Sequence, residues 1–208
     1  MEDMRRVRFL AANYPSLQGL KYVPQGLLAI LISLWGNSQR KPATDLTLPI
    51  LFVALCSALY LLLDRYYSNA FGRVQPTATQ RRVEWLSSIA GVILALAAFA
   101  VDTSQKLPVS TLGLVLSAVF LVDYFRITRF AQDRFLLYYP VMAAVMILIS
   151  ISPIIGPADW WRSIGINHPV LGVLMISGLL IVTTGFLIHL SLVRNLPPKQ
   201  EAINGEHS

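Results

Sequence analysis

The sequence predicts an all-α fold, a polytopic membrane helical bundle of about six transmembrane helices. Three observations carry that expectation. The 208 residues are 55% hydrophobic and 13% charged. A soluble domain carries about 25% charged residues, so this chain has too little polar surface to cover a water-soluble globule. The apolar residues gather into six runs, each close to the ~20 residues that span a bilayer. The basic residues lie between the runs and favour alternate connections, as the positive-inside rule requires.

In chain order the runs cover residues 17–35, 46–63, 86–101, 107–122, 136–155 and 170–193. Lys21, Pro24 and Gln25 sit in the first half of the first run, so that end is expected to be interfacial or kinked, because proline removes a backbone donor. The third and fourth runs are short, and flanking residues must extend them into the headgroup layer. With the N-terminus in the cytoplasm, the inner side holds Arg5, Arg6, Arg8, Arg65, Arg73, Arg81, Arg82, Arg126, Arg129, Arg134, Arg194 and Lys199. The outer side holds Arg40, Lys41, Lys106 and Arg162. Twelve basic residues against four predict a cell-membrane protein with both termini in the cytoplasm. Tyr66, Tyr67, Phe71, Trp85, Tyr124, Phe125, Tyr138 and Tyr139 gather at the inner ends of the runs, and Trp35, Trp160 and Trp161 at the outer ends. Amphipathic rings favour those depths.

Residues 1–16 read as a cytoplasmic amphipathic segment, 17–194 as the six-helix transmembrane domain, and 195–208 as a disordered cytoplasmic tail rich in proline and polar groups. An internal pattern suggests three tandem helical hairpins. Arg5-Arg6-Val7-Arg8-Phe9-Leu10, Arg81-Arg82-Val83-Glu84-Trp85-Leu86 and Gln132-Asp133-Arg134-Phe135-Leu136 open the odd-numbered runs. Pro49 precedes Asp64, and Pro108 precedes Asp123, by the same fifteen residues. Inner helix ends in general select a basic-aromatic-apolar opening, so the pattern also has a topological explanation.

Ionisable groups within a membrane point to function. Asp64, Asp123 and His189 lie near the inner ends of the second, fourth and sixth runs and form a candidate polar inner-end cluster, gating or binding an ion from the cytoplasm. Interfacial placement accounts for them without any function, and Asp123 has i,i+3 spacing to Arg126 for an ordinary ion pair. Lys21 reads first as a side chain that snorkels to the inner headgroups, and otherwise as a cation facing Asp64 or Asp123. Arg73, Arg81 and Arg82 in the 69–84 connection are candidates for docking lipid or a soluble partner, with Thr77-Ala78-Thr79 after Pro76 opening a short helix. Small residues recur at Ala54 and Ala58, at Ser87, Gly91 and Ala95 with Ala98 beside them, and at Gly113 and Ser117, where helices approach closely or a homo-dimer forms. Cys56, the lone cysteine, reads as packing.

No His-Glu-x-x-His helix, P-loop or Gly-x-Ser-x-Gly elbow occurs, and His168, His189 and His207 are isolated. The expectation is therefore no catalytic residue, no metal and no cofactor. The net charge of +6 resides in the connections, without the basic, aromatic-interleaved helix that nucleic acid requires. Membrane lipids are the expected contacts. The layout resembles the membrane half of an ABC-2-type exporter: a basic amphipathic first segment, six spans, inner termini, a charged connection after the second span, and an apolar outer connection, 153–168, with Trp160 and Trp161 dipping into the outer leaflet. That resemblance implies transport and a cytoplasmic ATPase contacting 69–84. A non-catalytic scaffold or accessory protein that binds other membrane proteins is the alternative. An intramembrane enzyme acting on a lipid or quinone, built on Asp64, Asp123 and His189, is the third.

Overall fold

A computed structural model describes residues 17–38, 46–71, 78–105, 107, 109–128, 137–155, 160–163 and 165–195. The expected amphipathic segment at 1–16 and all but the first residue of the expected tail lie outside them. The described residues are all-helical, with one 3₁₀ turn, Gly19–Tyr22, and seven α-helices: α1 (Val23–Ser38), α2 (Thr47–Ala70), α3 (Ala78–Ser104), α4 (Thr111–Thr128), α5 (Tyr138–Ile155), α6 (Trp160–Ser163) and α7 (Pro169–Asn195). Three stretches, Thr47–Ala70, Trp85–Ser104 and Pro169–Arg194, are long and apolar enough to cross a membrane. Those stretches support a membrane protein.

Local chemistry sets the helix limits. Pro24 has no N–H to give to the Leu20 carbonyl, and that carbonyl instead accepts the Val23 N–H to close the 3₁₀ turn. The expected kink in the first run is this change of helix type. Pro169 opens α7 from the position where a missing N–H costs nothing. The helix expected near Thr77 does start, at Ala78, but it is not short: it continues unbroken as α3 through Ser104. The third run is therefore the apolar part of a 27-residue helix.

The chain forms two compact units. The first contains residues 1–28, 45–75 and 178–208, so the start of α1, α2 and the end of α7 belong to it. Its described core is Val23, Cys56, Tyr67, Ile188 and Leu192. Two glycine pairs join the turn and α1 to α7. A methyl group at Gly26 would lie 2.6 Å from the Gly178 carbonyl oxygen, and one at Gly19 would come closer still to the carbonyl oxygen of Gly185. Both pairs are seven residues apart in the chain, two turns of helix, so the same faces meet twice in antiparallel order.

The second unit contains 29–44 and 76–177. On α5, Tyr139, Met142, Ala143, Met146 and Ser150 are buried at helical spacing and form one stripe. Gly113 of α4 packs on Ser150 and on Val173 of α7, leaving no room for a Cβ. The Ser110 N–H donates to the Ser150 carbonyl at 3.0 Å. Of the three stripes of small residues, the one on α4 packs inside the fold: Ser117 is 2% exposed. On α3 nothing lies within 4 Å of a Cβ at Gly91, and Ala54 and Ala58 of α2 are exposed. Trp161, expected at the outer leaflet, is buried instead, its ring filling the space over Gly172. Tyr67 and Tyr139 are likewise buried, while Trp85 and Phe125 are exposed as an interfacial ring would be.

Candidate functional site

The first unit builds its site from one face of α2. Tyr60, Asp64, Tyr67 and Phe71 are spaced four, three and four residues apart, which stacks them along one side of the helix. That side meets the 3₁₀ turn. Lys21 Nζ donates to Asp64 Oδ1 at 2.5 Å and stands 5.9 Å from the centre of the Tyr60 ring. Lys21 is thus held by a carboxylate of its own fold. The snorkelling reading gives way to the second one, with Asp64 as the acidic partner. Side-chain exposures of 19% for Lys21 and 42% for Asp64 make this a partly hydrated pair, worth up to about 1 kcal/mol.

One helical turn further along α2, Tyr67 makes a second connection. Its hydroxyl oxygen accepts the Leu20 N–H at 3.1 Å and lies 2.9 Å from His189 Nδ1 on α7. Leu20 needs this acceptor, because a residue in the first turn of a helix has no carbonyl behind it to receive its N–H. Tyr66 and Tyr67 set their rings edge-on to the imidazole at 6.0 and 5.7 Å. Tyr67 itself is 0% exposed. Adjacent residues of the turn, Leu20 and Lys21, are therefore each tied to α2, and Tyr67 carries the tie on to α7. Chemically this is a latch: an ion pair and a two-step hydrogen-bond relay that together fix a 3₁₀ turn.

Of the expected inner-end cluster, Asp64 and His189 belong to this unit, and Tyr67, on the same helix as Asp64, reaches His189 of α7. Asp123 belongs to the second unit, on α4. Arg82 near the start of α3 is exposed. Arg73 and the side chain of Arg81 lie outside the described residues. Tyr67, which sequence alone places only among the inner-end aromatic residues, is the side chain that links the turn to α7. The signal that could have found it is the Tyr60–Asp64–Tyr67–Phe71 periodicity, a polar and aromatic face on an otherwise apolar helix.

The second unit has its own polar centre, at Asp102. This carboxylate is 9% exposed and closes the start of α4. Oδ2 accepts the Ser110 hydroxyl at 2.7 Å and the Leu112 N–H at 3.1 Å; Oδ1 accepts the Thr111 N–H at 2.7 Å and also the Thr111 hydroxyl. An anion here satisfies the orphan donors of a helix N-terminus and complements its dipole. A cavity of about 350 Å³ borders Asp102, with Ser104, Trp161, His168 and Val173 in its wall. The cap already engages both oxygens of Asp102, so the carboxylate is a structural group here. In the same unit Asn37 of α1 donates to the Gly165 carbonyl and accepts the Asn167 N–H, at 2.9 and 2.8 Å. Gly165 has φ +82°, where a side chain would be strained.

Among the described residues no three His, Cys, Asp or Glu side chains group to hold a metal. No protein-family model, no curated protein and no solved structure matches the chain.

Proposed function

We propose that the chain is a six-span subunit of a transport system in the cell membrane, with both termini in the cytoplasm and the latch at its inner face. The observation that carries this reading is the latch itself. Two polar connections, one helical turn apart on α2, hold the four-residue 3₁₀ turn that leads into α1, and ionisable groups within a membrane domain point to function. The spans are α1 with its turn, α2, α3, α4, α5 and α7. At 18 residues each, α4 and α5 are about 27 Å long, so their flanks complete the crossing of a ~30 Å hydrocarbon layer.

A second reading, the scaffold, is favoured by the faces of α2 and α3. Within their apolar windows only 6% and 11% of residues are buried, which leaves each helix a wide surface for lipid or another membrane protein. Under either reading Arg73, Arg81 and Arg82 offer cationic contact to headgroups or to a soluble partner.

Two measurements test the proposal. Reporter fusions after Arg73, Arg129 and Arg194 should report cytoplasm, and fusions after Arg40, Lys106 and Arg162 the outside. An external signal after Arg73 contradicts the six-span arrangement. Affinity purification in mild detergent should then recover a nucleotide-hydrolysing partner in fixed stoichiometry. Replacing Arg81 and Arg82 with Gln should release it while the chain stays inserted. Recovery with other membrane proteins but no nucleotide-hydrolysing partner, from membranes that express the native partners, contradicts the transport reading and leaves the scaffold.

A further inference from the structure

We propose that the cavity beside Asp102 binds a small uncharged amphiphile, an apolar body that carries one hydroxyl. The site lies within the second unit and is separate from the latch. Its polarity runs in one direction. The exposed part of the wall carries Thr103, Ser104, Gln105 and His168. Trp161, Val170 and Val173 line the inner end with buried, largely apolar surface. Asp102 and Ser110 also reach that end, but they are bonded to each other and to the N–H groups of the α4 cap. An amphiphile fits this gradient with its body inward and its head at the mouth.

Size and charge narrow the class. A volume of about 350 Å³ equals roughly a dozen waters at ~30 Å³ each, which limits the ligand to about that many non-hydrogen atoms. Ordered water needs about two to four polar partners, which the inner end does not supply, so hydrocarbon suits it better. The Asp102 carboxylate in the wall repels an anion. Its attraction for a cation is already offset by the hydroxyl and N–H donors of the cap and by the dipole of α4. The head group meets Gln105 and His168. A hydroxyl both donates and accepts, as do an amide and a neutral imidazole, so the pairing holds for either tautomer. Lipid tails are as apolar as the wall, so this pairing and the packing against fixed side chains set the preference over the bilayer. The mouth is pre-formed. The loop that carries Trp161 and His168 is tied by the Ile166 N–H to the Trp161 carbonyl at 2.9 Å, and by Asn167 to Asn37 of α1. A wall held this way lowers the ordering cost of binding.

Photolabelling of the full-length protein in nanodiscs tests this, with an octanol that carries a diazirine as the probe. The exposed α2 residues Leu51, Leu55 and Leu61 report probe dissolved in lipid. Labels on Gln105, Leu107, Trp161 and His168 should exceed that level by about tenfold, the preference that roughly one hydrogen bond gives. Unlabelled octanol should remove the excess. Octanoate and octylammonium at the same membrane concentration should leave most of it. Ser104→Trp, a change at an exposed position of the mouth, should bring the cavity residues down to the α2 level while the thermal midpoint holds. Labelling of the native protein at the α2 level throughout would overturn the site, and that comparison needs no variant to fold. An excess that survives Ser104→Trp would overturn it as well. Equal competition by octanoate or octylammonium would overturn the uncharged class.

Discussion

Gly19→Leu is expected to abolish folding of the first unit. A Cβ at this position already collides with the Gly185 carbonyl, with Cβ of Ile188 and with the backbone nitrogen of His189. Two of those three are main chain, which cannot rotate away. Overpacking a well-filled core costs about 1–3 kcal/mol, and more where backbone must shift. The further atoms of Leu and the loss of the latch add to that, against a total stability of roughly 5–15 kcal/mol. The folded yield, read by size-exclusion chromatography of a fluorescent fusion, should fall to near zero. Gly91→Ala is the matched control. It meets nothing within 4 Å and replaces glycine inside α3, so it should be neutral or stabilising by up to about 1 kcal/mol. Equal yields for the two variants would mean that the turn and α7 do not touch.

Asp102→Ala is expected to be the most damaging single change in the second unit. It removes the acceptors of Ser110, Thr111 and Leu112 at once. Losing an N-cap costs about 0.5–2 kcal/mol, and orphaned buried donors add about 1–3 kcal/mol. Thermal unfolding in detergent should show a loss of about 3 kcal/mol. Asp102→Asn keeps one acceptor oxygen and should lose about half of that. A neutral Asp102→Ala would mean that α4 begins without this cap.

Much of the fold is legible in the sequence, because helix position follows from apolar runs and their punctuation. Pro24, Pro49, Pro140 and Pro169 all lie in first turns of helices, where proline is tolerated. Ala78 opens α3 close to the expected threonine. Helix orientation is harder. In lipid the outward faces are as apolar as the buried ones, so hydropathy does not tell which side of α2 or α3 packs. Small residues give the same ambiguity: Gly91 and Gly113 look alike in sequence, yet only Gly113 is in contact. The seven-residue pairing of Gly19 with Gly26 and of Gly178 with Gly185 carries the contact of the first unit. It becomes visible only when two distant segments are compared in opposite directions.

The same difficulty limits the site. Depth placed Asp64 and His189 at helix ends, but depth does not supply the third group, Tyr67, whose ring resembles any interfacial tyrosine. Depth also grouped Asp123 with them; it is carried by α4, in the other unit. Within the proposed hairpin repeat, Leu48 lies inside α2 whereas Leu107 lies before α4 begins.

Charge reversal at Lys21 and Asp64 tests the latch most directly. Lys21→Asp and Asp64→Lys should each lower the thermal midpoint in nanodiscs, because each sets two like charges against one another at the end of α2. The double variant restores an opposite pair at the same separation, and should recover most of the loss, a coupling of up to about 1 kcal/mol. Losses that simply add in the double variant would contradict the latch.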